Sequence, residues 1–190
     1  KPHFENERNS AFRVQMRGGS FGYVSPSIRW WQKAGSRTSF SLNGNYMRAD
    51  GNYPFTLVNG KYVTEEKRNN SAIYTYQIEP TLFHTFKDSS NLELKAYYFY
   101  SKRGLPGSVT LYNPISDETL WDENVFIQTR YKKDFSQKWS LQAQAKYNHG
   151  WNKYEDKGNE YADGLYRAVH RQDEYYLSAK YLSKTVIDDG

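Results

Sequence analysis

Hydrophobic and polar residues alternate along much of the chain with a period of two residues. In segment 139–147, one set of alternate positions carries Trp, Leu, Ala, Ala and Tyr, and the other carries Ser, Gln, Gln and Lys. The same pattern returns at 125–132 and 174–181. Since successive side chains of a β-strand point to opposite faces of a sheet, each segment predicts a strand with one apolar and one polar face.

About eight segments carry this pattern, which predicts an all-β, antiparallel up-and-down meander. The apolar positions are Phe12, Val14 and Met16; Ile28 and Trp30; Phe40, Leu42, Gly44 and Tyr46; Tyr74, Tyr76, Ile78, Pro80 and Leu82; Leu92, Leu94, Ala96, Tyr98 and Tyr100; Val125, Ile127, Thr129 and Tyr131; Trp139, Leu141, Ala143, Ala145 and Tyr147; and Tyr175, Leu177, Ala179 and Tyr181. Pro80 cannot donate to a strand ladder, so a bulge or a local edge is expected there.

Short and long connections alternate between the predicted strands. The short ones are 35–37, 87–90 and 134–138, and the long ones are 50–70, 102–122 and 154–172. In a meander, this alternation places the tight turns at one end of the sheet and the long loops at the other. Such asymmetry is typical of outer-membrane β-barrels, which have short periplasmic turns and long extracellular loops.

Aromatic residues flank the apolar rows, with small or aliphatic residues between them. Trp139 and Tyr147 flank one row, and Tyr175 and Tyr181 flank another. Eight tilted residues rise roughly 20 Å, close to the apolar band of about 25 Å between the aromatic girdles of a membrane barrel. Tyr and Trp suit a girdle because the aromatic ring favours the apolar side of the membrane interface, while its polar O–H or N–H group favours water. These four aromatics are therefore the predicted membrane-girdle residues.

A soluble β-sandwich would alternate in the same way. A sandwich fills its core with large aliphatic side chains. Here the middle positions include Gly44, Ala96, Ala143, Ala145 and Ala179. Small residues suffice against lipid but fill a sandwich core poorly, so the pattern favours the strands of a transmembrane barrel.

The amino-acid composition excludes several classes of protein. The 190 residues are 17% aromatic and 37% hydrophobic, and they include no Cys, which excludes a disulfide-stapled or thiolate-metal domain. No apolar stretch approaches the roughly 20 residues of a membrane-spanning helix. The formal charge is +5, but both signs are mixed along the chain, so no basic stripe for nucleic acid is visible. The start, Lys1-Pro2, has no apolar leader and suggests a processed or excised piece.

Motifs of enzyme chemistry are absent from the sequence, and no catalytic residue is predicted. The four His have no paired metal-ligand spacing, and no nucleophile-elbow or phosphate-loop pattern occurs. The glycine-rich segment 18–22 lies between two predicted strands and predicts a hairpin. No cofactor is predicted, although carboxylates at 117–118, 122–123 and 155–156 leave open a calcium ion in the long loops.

The long loops carry the residues that could recognise a ligand. Aromatic rings mixed with Arg, Asn and Asp suit a polar organic molecule, and they suit the packing of one loop on another equally well. The ligand-binding candidates are Arg48, Asp50, Tyr53, Arg103, Tyr112 and Trp121.

Several short motifs, in their order along the chain, resemble the barrel of a TonB-dependent outer-membrane receptor, in its N-terminal part. They are Lys1-Pro2 to Arg13-Val14-Gln15, Gly19-Ser20-Phe21-Gly22, Tyr46-Met47-Arg48-Ala49-Asp50-Gly51, Asn69-Asn70 and Arg103-Gly104-Leu105-Pro106-Gly107. Within that family the chain is most similar to cobalamin-type receptors.

The resemblance implies a plugged barrel of about 22 strands, of which this chain would supply about eight. Residues 1–190 are then expected to be a partial barrel without the plug and the remaining strands. The implied function is uptake of a scarce nutrient, such as cobalamin, an iron–siderophore complex or a glycan, across the outer membrane of a Gram-negative bacterium. The implied partners are membrane lipid, the TonB system acting through the plug, and the small nutrient, but not nucleic acid.

Two alternatives stay open at this point. One is a complete eight-stranded membrane barrel with a structural or adhesive role, and the other is a soluble all-β binding module. A piece of a barrel would also expose two sheet edges, so self-association of the chain through those edges is expected.

Overall fold

A computed structural model describes residues 9–107, 116–136, 138–158 and 164–183. Of these residues, 78% lie in β-strands, which confirms the all-β prediction. The strands are β1 (Ser10–Gly18), β2 (Val24–Ala34), β3 (Thr38–Ala49), β4 (Pro54–Asn59), β5 (Tyr62–Lys67), β6 (Ile73–Thr85), β7 (Asn91–Leu105), β8 (Glu118–Asp134), β9 (Trp139–Asp156) and β10 (Tyr166–Ser183). The described ranges contain no helix with the length and apolar character needed to cross a membrane.

Eight of the strands form one antiparallel sheet in the order β1-β2-β3-β6-β7-β8-β9-β10. This arrangement confirms the predicted meander of about eight strands. β4 and β5 form a separate hairpin inserted between β3 and β6. β1 and β10 are the two edges of the sheet, and within the described residues they pair with no second neighbour, so the sheet is open there.

Tight turns and longer connections lie at opposite ends of the sheet, as the sequence predicts. The β2–β3, β6–β7 and β8–β9 connections are short and share one end, here called the turn end. The β3–β6, β7–β8 and β9–β10 connections share the other end, here called the loop end. The glycine-rich β1–β2 hairpin also lies at the loop end, where the backbone N–H of Gly19 donates to the carbonyl oxygen of Tyr23 at 3.0 Å.

Two of the three long loops are shorter than the sequence predicts. β7 continues to Leu105 and β8 begins at Glu118, so the prediction of a loop over 102–122 is wrong for much of that range. Parts of 154–172 are likewise strand, and 50–70 holds the β4–β5 hairpin. A period-two signal needs one apolar face, and both faces of these extensions carry charged residues, such as Glu155 and Asp156.

Pro80 lies within β6, and of the bulge or local edge expected there, the bulge is absent. β6 pairs with β7 on both sides of the proline, Ile78 with Tyr98 and Thr81 with Lys95. Both strands use the same number of residues between these pairs, so the register is unchanged. Pro80 also keeps its place opposite Leu42 of β3. The missing N–H therefore interrupts one ladder locally without adding a residue to the strand.

The described residues bury no hydrophobic side chain. The buried residues among them are polar: Thr81, Ser90, Ser101 and Glu155. By contrast, Leu177 is 86% exposed. A single sheet has no second layer to pack against, so its stabilising contacts are the strand ladders and the cross-strand side-chain pairs.

Candidate functional site

The strand register places all the predicted apolar rows on the same face of the sheet. Directly paired residues of neighbouring antiparallel strands point to the same side. One row of aligned residues, followed from β1 to β10, is Phe12, Trp30, Leu42, Pro80, Ala96, Ile127, Tyr147 and Tyr175. The apolar side chains therefore form one continuous band across eight strands. We call this side the apolar face and the opposite side the polar face.

Tyrosines border the band toward the loop end. Tyr46, Tyr76 and Tyr100 are aligned across β3, β6 and β7, and the rings of Tyr76 and Tyr100 stack at 4.9 Å between centroids. On β9 and β10 the border consists of Tyr147 and Tyr175, whose ring centroids are 5.0 Å apart. Two of the four predicted girdle residues thus form a cross-strand aromatic pair at this border.

Aromatic rings also border the band toward the turn end. Trp139 and Tyr181, the other two predicted girdle residues, stack with centroids 5.2 Å apart. Phe86 directly follows β6 and lies edge-on to His84 of that strand and to Tyr131 of β8. The predicted girdle residues therefore lie at the two opposite borders of the band, which is the placement that a girdle requires.

Between β7 and β10 the tyrosine border shifts along the strands. The row that contains Tyr100 of β7 reaches Arg171 on β10, four residues away from Tyr175. Four residues span about 14 Å along a strand, and three strand spacings span about 14 Å across the sheet. The border therefore runs at about 45° to the strands between β7 and β10, whereas from β3 to β7 it follows one cross-strand row.

Beyond the tyrosine border, the apolar face becomes charged. The carboxylate of Glu155 accepts hydrogen bonds from Lys153 Nζ at 3.2 Å and from Arg167 Nε at 2.7 Å. Burial raises the pKa of Glu155, but these hydrogen bonds and the two positive charges outweigh burial and hold that pKa below its ordinary value. Charged cross-strand groups suit water, so β9 and β10 extend past the apolar band at the loop end.

Asn70 joins three segments at the loop end. Its side-chain Nδ2 donates to the carbonyl oxygens of Leu105 at 3.0 Å and of Glu118 at 2.6 Å. A Cβ atom on Gly104 would collide with the backbone oxygen of Asn70. Two of the motifs that carry the family resemblance, at 69–70 and 103–107, thus contact each other, and the contact requires glycine at 104.

The ligand-binding candidates of the β3–β6 connection have partners within the protein. Arg48 pairs with Asp50 at 3.0 Å. The backbone N–H of Asp50 donates to the carbonyl oxygen of Phe21, which ties this connection to the β1–β2 hairpin. The ring of Tyr53 lies edge-on between those of Phe21 and Phe55, with centroids 6.2 and 6.4 Å away. These contacts are packing of one loop on another, and ligand binding by these residues stays a prediction.

The candidates near the β7–β8 connection also have internal partners. Arg103 pairs with Asp122 at 3.2 Å on the polar face. The ring of Trp121 lies between two ammonium groups, with Lys153 Nζ 3.9 Å and Lys102 Nζ 5.3 Å from its centroid. Tyr112 lies outside the described residues. The structure therefore does not bring the five candidates within the described residues into a shared site, because they divide between two faces and several connections.

The acidic pairs do not form a cation site in the described ranges. No group of three or more His, Asp and Glu side chains converges there. Asp122 and Glu123 are adjacent on β8, and Glu155 and Asp156 are adjacent on β9. Adjacent residues of a strand point to opposite faces, so neither pair can close on one ion.

The polar face carries cross-strand ion pairs, amides and a few aromatic rings. Lys95 pairs with Glu79 at 2.9 Å, and Arg130 lies 3.7 Å from Glu93. The rings of Tyr97 and Phe126 stack at 4.8 Å. A surface of this kind suits contact with water or with a polar partner rather than with lipid.

One polar-face cluster is not apparent from the sequence pattern. Arg13, Arg17 and Arg29 line a common cavity of about 300 Å³ on β1, β2 and β3. The sequence feature that could predict this cluster is the β1–β2 hairpin, because a turn centred near residue 21 places Arg13 opposite Arg29.

Comparison with known proteins adds no family to this description. No protein-family model matches the chain, and no curated protein matches it. The resemblance to TonB-dependent receptors therefore rests on the sequence motifs alone and stays a prediction.

Proposed function

We propose that the chain forms part of the wall of an outer-membrane β-barrel. The observation that carries this proposal is the continuous apolar face, which spans eight antiparallel strands and has aromatic residues along both borders. A soluble protein rarely leaves so large an apolar surface uncovered. Lipid would cover it, while the polar face would line the interior of the barrel.

A wall segment of a large barrel fits the sheet better than a closed eight-stranded barrel. Small barrels fill their interior with packed side chains. The polar face here instead carries ion pairs, amides and an open cavity lined by three arginines. The free edges of β1 and β10 would pair with further strands of the same barrel.

Within this wall, we assign the chain to a TonB-dependent receptor that takes up a scarce nutrient such as cobalamin, an iron–siderophore complex or a glycan. The support for this assignment is the ordered set of motifs, two of which meet at Asn70 and Gly104. The role of the chain is then to hold the loops and to enclose the transport path, with no catalytic step.

Site-directed fluorescence in lipid vesicles tests the wall. The chain has no Cys, so each introduced cysteine gives one labelling site. Leu177→Cys and Ala179→Cys lie on the apolar face, and Ser178→Cys between them is the matched control on the polar face. We expect a lipid-borne quencher to quench a fluorophore at 177 and 179 but not at 178. Equal quenching at the three positions would rule out the proposed wall.

The receptor assignment needs a separate test. We expect the gene that encodes this chain to encode a plug domain upstream of it, and its deletion to abolish the uptake of one nutrient as fully as deletion of TonB does. A gene without a plug domain would refute the receptor and leave the wall intact, since the fluorescence test does not depend on transport.

A further inference from the structure

Three arginines line one cavity on the polar face of β1 and β2. Arg13 and Arg29 are direct cross-strand partners, and Arg17 lies on the same face of β1. All three line the cavity of about 300 Å³, together with the amide side chains of Gln15, Asn43 and Gln77.

The lining of this cavity contains no carboxylate. The carboxylate in the same cross-strand row is Glu79, which is separated from Arg29 by Asn43. Glu79 is already engaged, since it accepts from Asn43 at 3.3 Å and pairs with Lys95 at 2.9 Å. Within the described ranges, none of the three arginines has an acidic partner within 4.0 Å, the distance that defines the ion pairs found.

The absence of a neighbouring carboxylate distinguishes these three arginines from the other arginines of the polar face. The other arginines of that face in the described strands, Arg103 and Arg130, each have a carboxylate neighbour. Like charges directly opposite each other on neighbouring strands destabilise a sheet. Arg13 and Arg29 stand in that relation, so a bound anion would remove their repulsion as well as form new bonds.

We propose that this cavity binds a small oxyanion with more than one negative charge, carried on carboxylate or phosphate groups. The guanidinium group matches such oxygens with two parallel hydrogen bonds, and the surrounding amides can donate to the remaining oxygens. The cavity volume is at the lower end of the range for small-molecule sites. The inference rests on the cluster itself and does not require the proposed transport role.

Calorimetric titration of the full chain in non-ionic detergent micelles tests this site, with pyrophosphate and citrate as probes at low salt. We expect saturable binding of at least one probe, and a loss of affinity of about tenfold or more in Arg29→Gln and in Arg13→Gln, since each loses a charge-assisted pair of hydrogen bonds. Arg29→Lys keeps the positive charge but loses the planar guanidinium group that donates two parallel hydrogen bonds. Its affinity for the probe should therefore lie between those of the unaltered chain and Arg29→Gln.

Arg130→Gln is the matched control, because it removes the same charge from the same face outside the cluster. Its affinity should equal that of the unaltered chain. Arg29→Gln relieves a like-charge pair, so its urea midpoint should not fall, and a loss of binding would not come from unfolding. The relative affinities for the two probes distinguish a phosphate ligand from a carboxylate ligand.

Three results would overturn the site. The first is the absence of saturable binding by the unaltered chain. The second is an equal loss in Arg130→Gln, which would indicate attraction to net charge alone. The third is tight binding of a single-stranded oligonucleotide that neither probe displaces, which would indicate a nucleic-acid surface.

Discussion

At the scale of single residues, the loop end depends on one asparagine and one glycine. Asn70 bridges β7 and β8 through two side-chain hydrogen bonds, and Gly104 leaves the space that its backbone occupies. The motif around Gly104 is visible in the sequence. Its role is not, because the atoms that forbid a side chain there belong to a residue 34 positions earlier, and only the β6–β7 register brings them together.

Gly104→Ala should destabilise the sheet by about 1–3 kcal/mol, the usual cost of overpacking a tight contact. The new Cβ would collide with the backbone of Asn70, which a rotamer change cannot relieve. Urea unfolding in micelles measures the difference. Gly150→Ala is the control, since its Cβ would meet its nearest neighbours at 3.9 Å, an ordinary contact. Equal midpoints for the two variants would contradict this account of Gly104.

The Glu155 cluster should make the loop end of β9 and β10 sensitive to acid. The folded-state pKa of Glu155 lies below its unfolded value of 4.5, so the ionised form stabilises the fold above that pH. The stabilisation is lost as the pH falls below 4.5 and through the folded-state pKa. Hydrogen-exchange protection factors of the loop-end amides should therefore fall between pH 6 and pH 3.5.

Glu155→Gln is the control for this pH dependence. The glutamine cannot ionise, so the protection factors of the same amides should be lower at pH 6 and change less with pH. An unaltered pH profile in Glu155→Gln would assign the acid sensitivity to other carboxylates.

At the scale of the strands, the sequence predicts the part of each strand that carries the apolar band and misses the rest. Leu177 and Ala145 are readily placed because an apolar residue alternates with a polar one. Lys153 and Arg167 are not, because beyond the tyrosine border both faces are polar and the alternation has no contrast. The β4–β5 hairpin is missed because its apolar residues do not alternate with polar ones: Tyr62 and Val63 are adjacent and both exposed.

A charge on the apolar face should be costly in lipid. Leu177→Arg places a guanidinium group near the middle of the band, and we expect it to lower the stability in lipid vesicles by about 2–4 kcal/mol. Ser178→Arg puts the same group on the polar face and should change stability by less than about 1 kcal/mol. Unfolding titrations of the two variants measure the contrast, and equal costs would show that the two faces do not meet different solvents.

At the scale of the whole molecule, the dominant feature is an open sheet with two free edges. β10 is 18 residues long and almost wholly exposed, and β1 is exposed along its full length. Strand order and the two ends of the sheet are predictable from the sequence, because meander topology follows from connection lengths. The curvature of the sheet is not predictable, because the alternation of apolar and polar residues determines which face a side chain takes but not how strongly the sheet twists.

The chain in micelles should associate through these edges. Unpaired backbone groups along β1 and β10 favour pairing with another strand, so we expect a dimer or higher oligomer by sedimentation. The amides of β10 that point away from β9 should then be protected from hydrogen exchange. A monomer in which those amides exchange freely would contradict this expectation.

Because each strand of the eight-stranded sheet pairs only with adjacent strands, the sheet can change its number of strands during evolution. In the described part of the chain, each strand of the sheet contacts only the strands directly beside it. One hairpin can therefore be added or removed while the remaining contacts persist, as in proteins built from stacked repeats. Duplication of the DNA for a single hairpin would lengthen the sheet by two strands, so the circumference of the proposed barrel would grow in fixed steps.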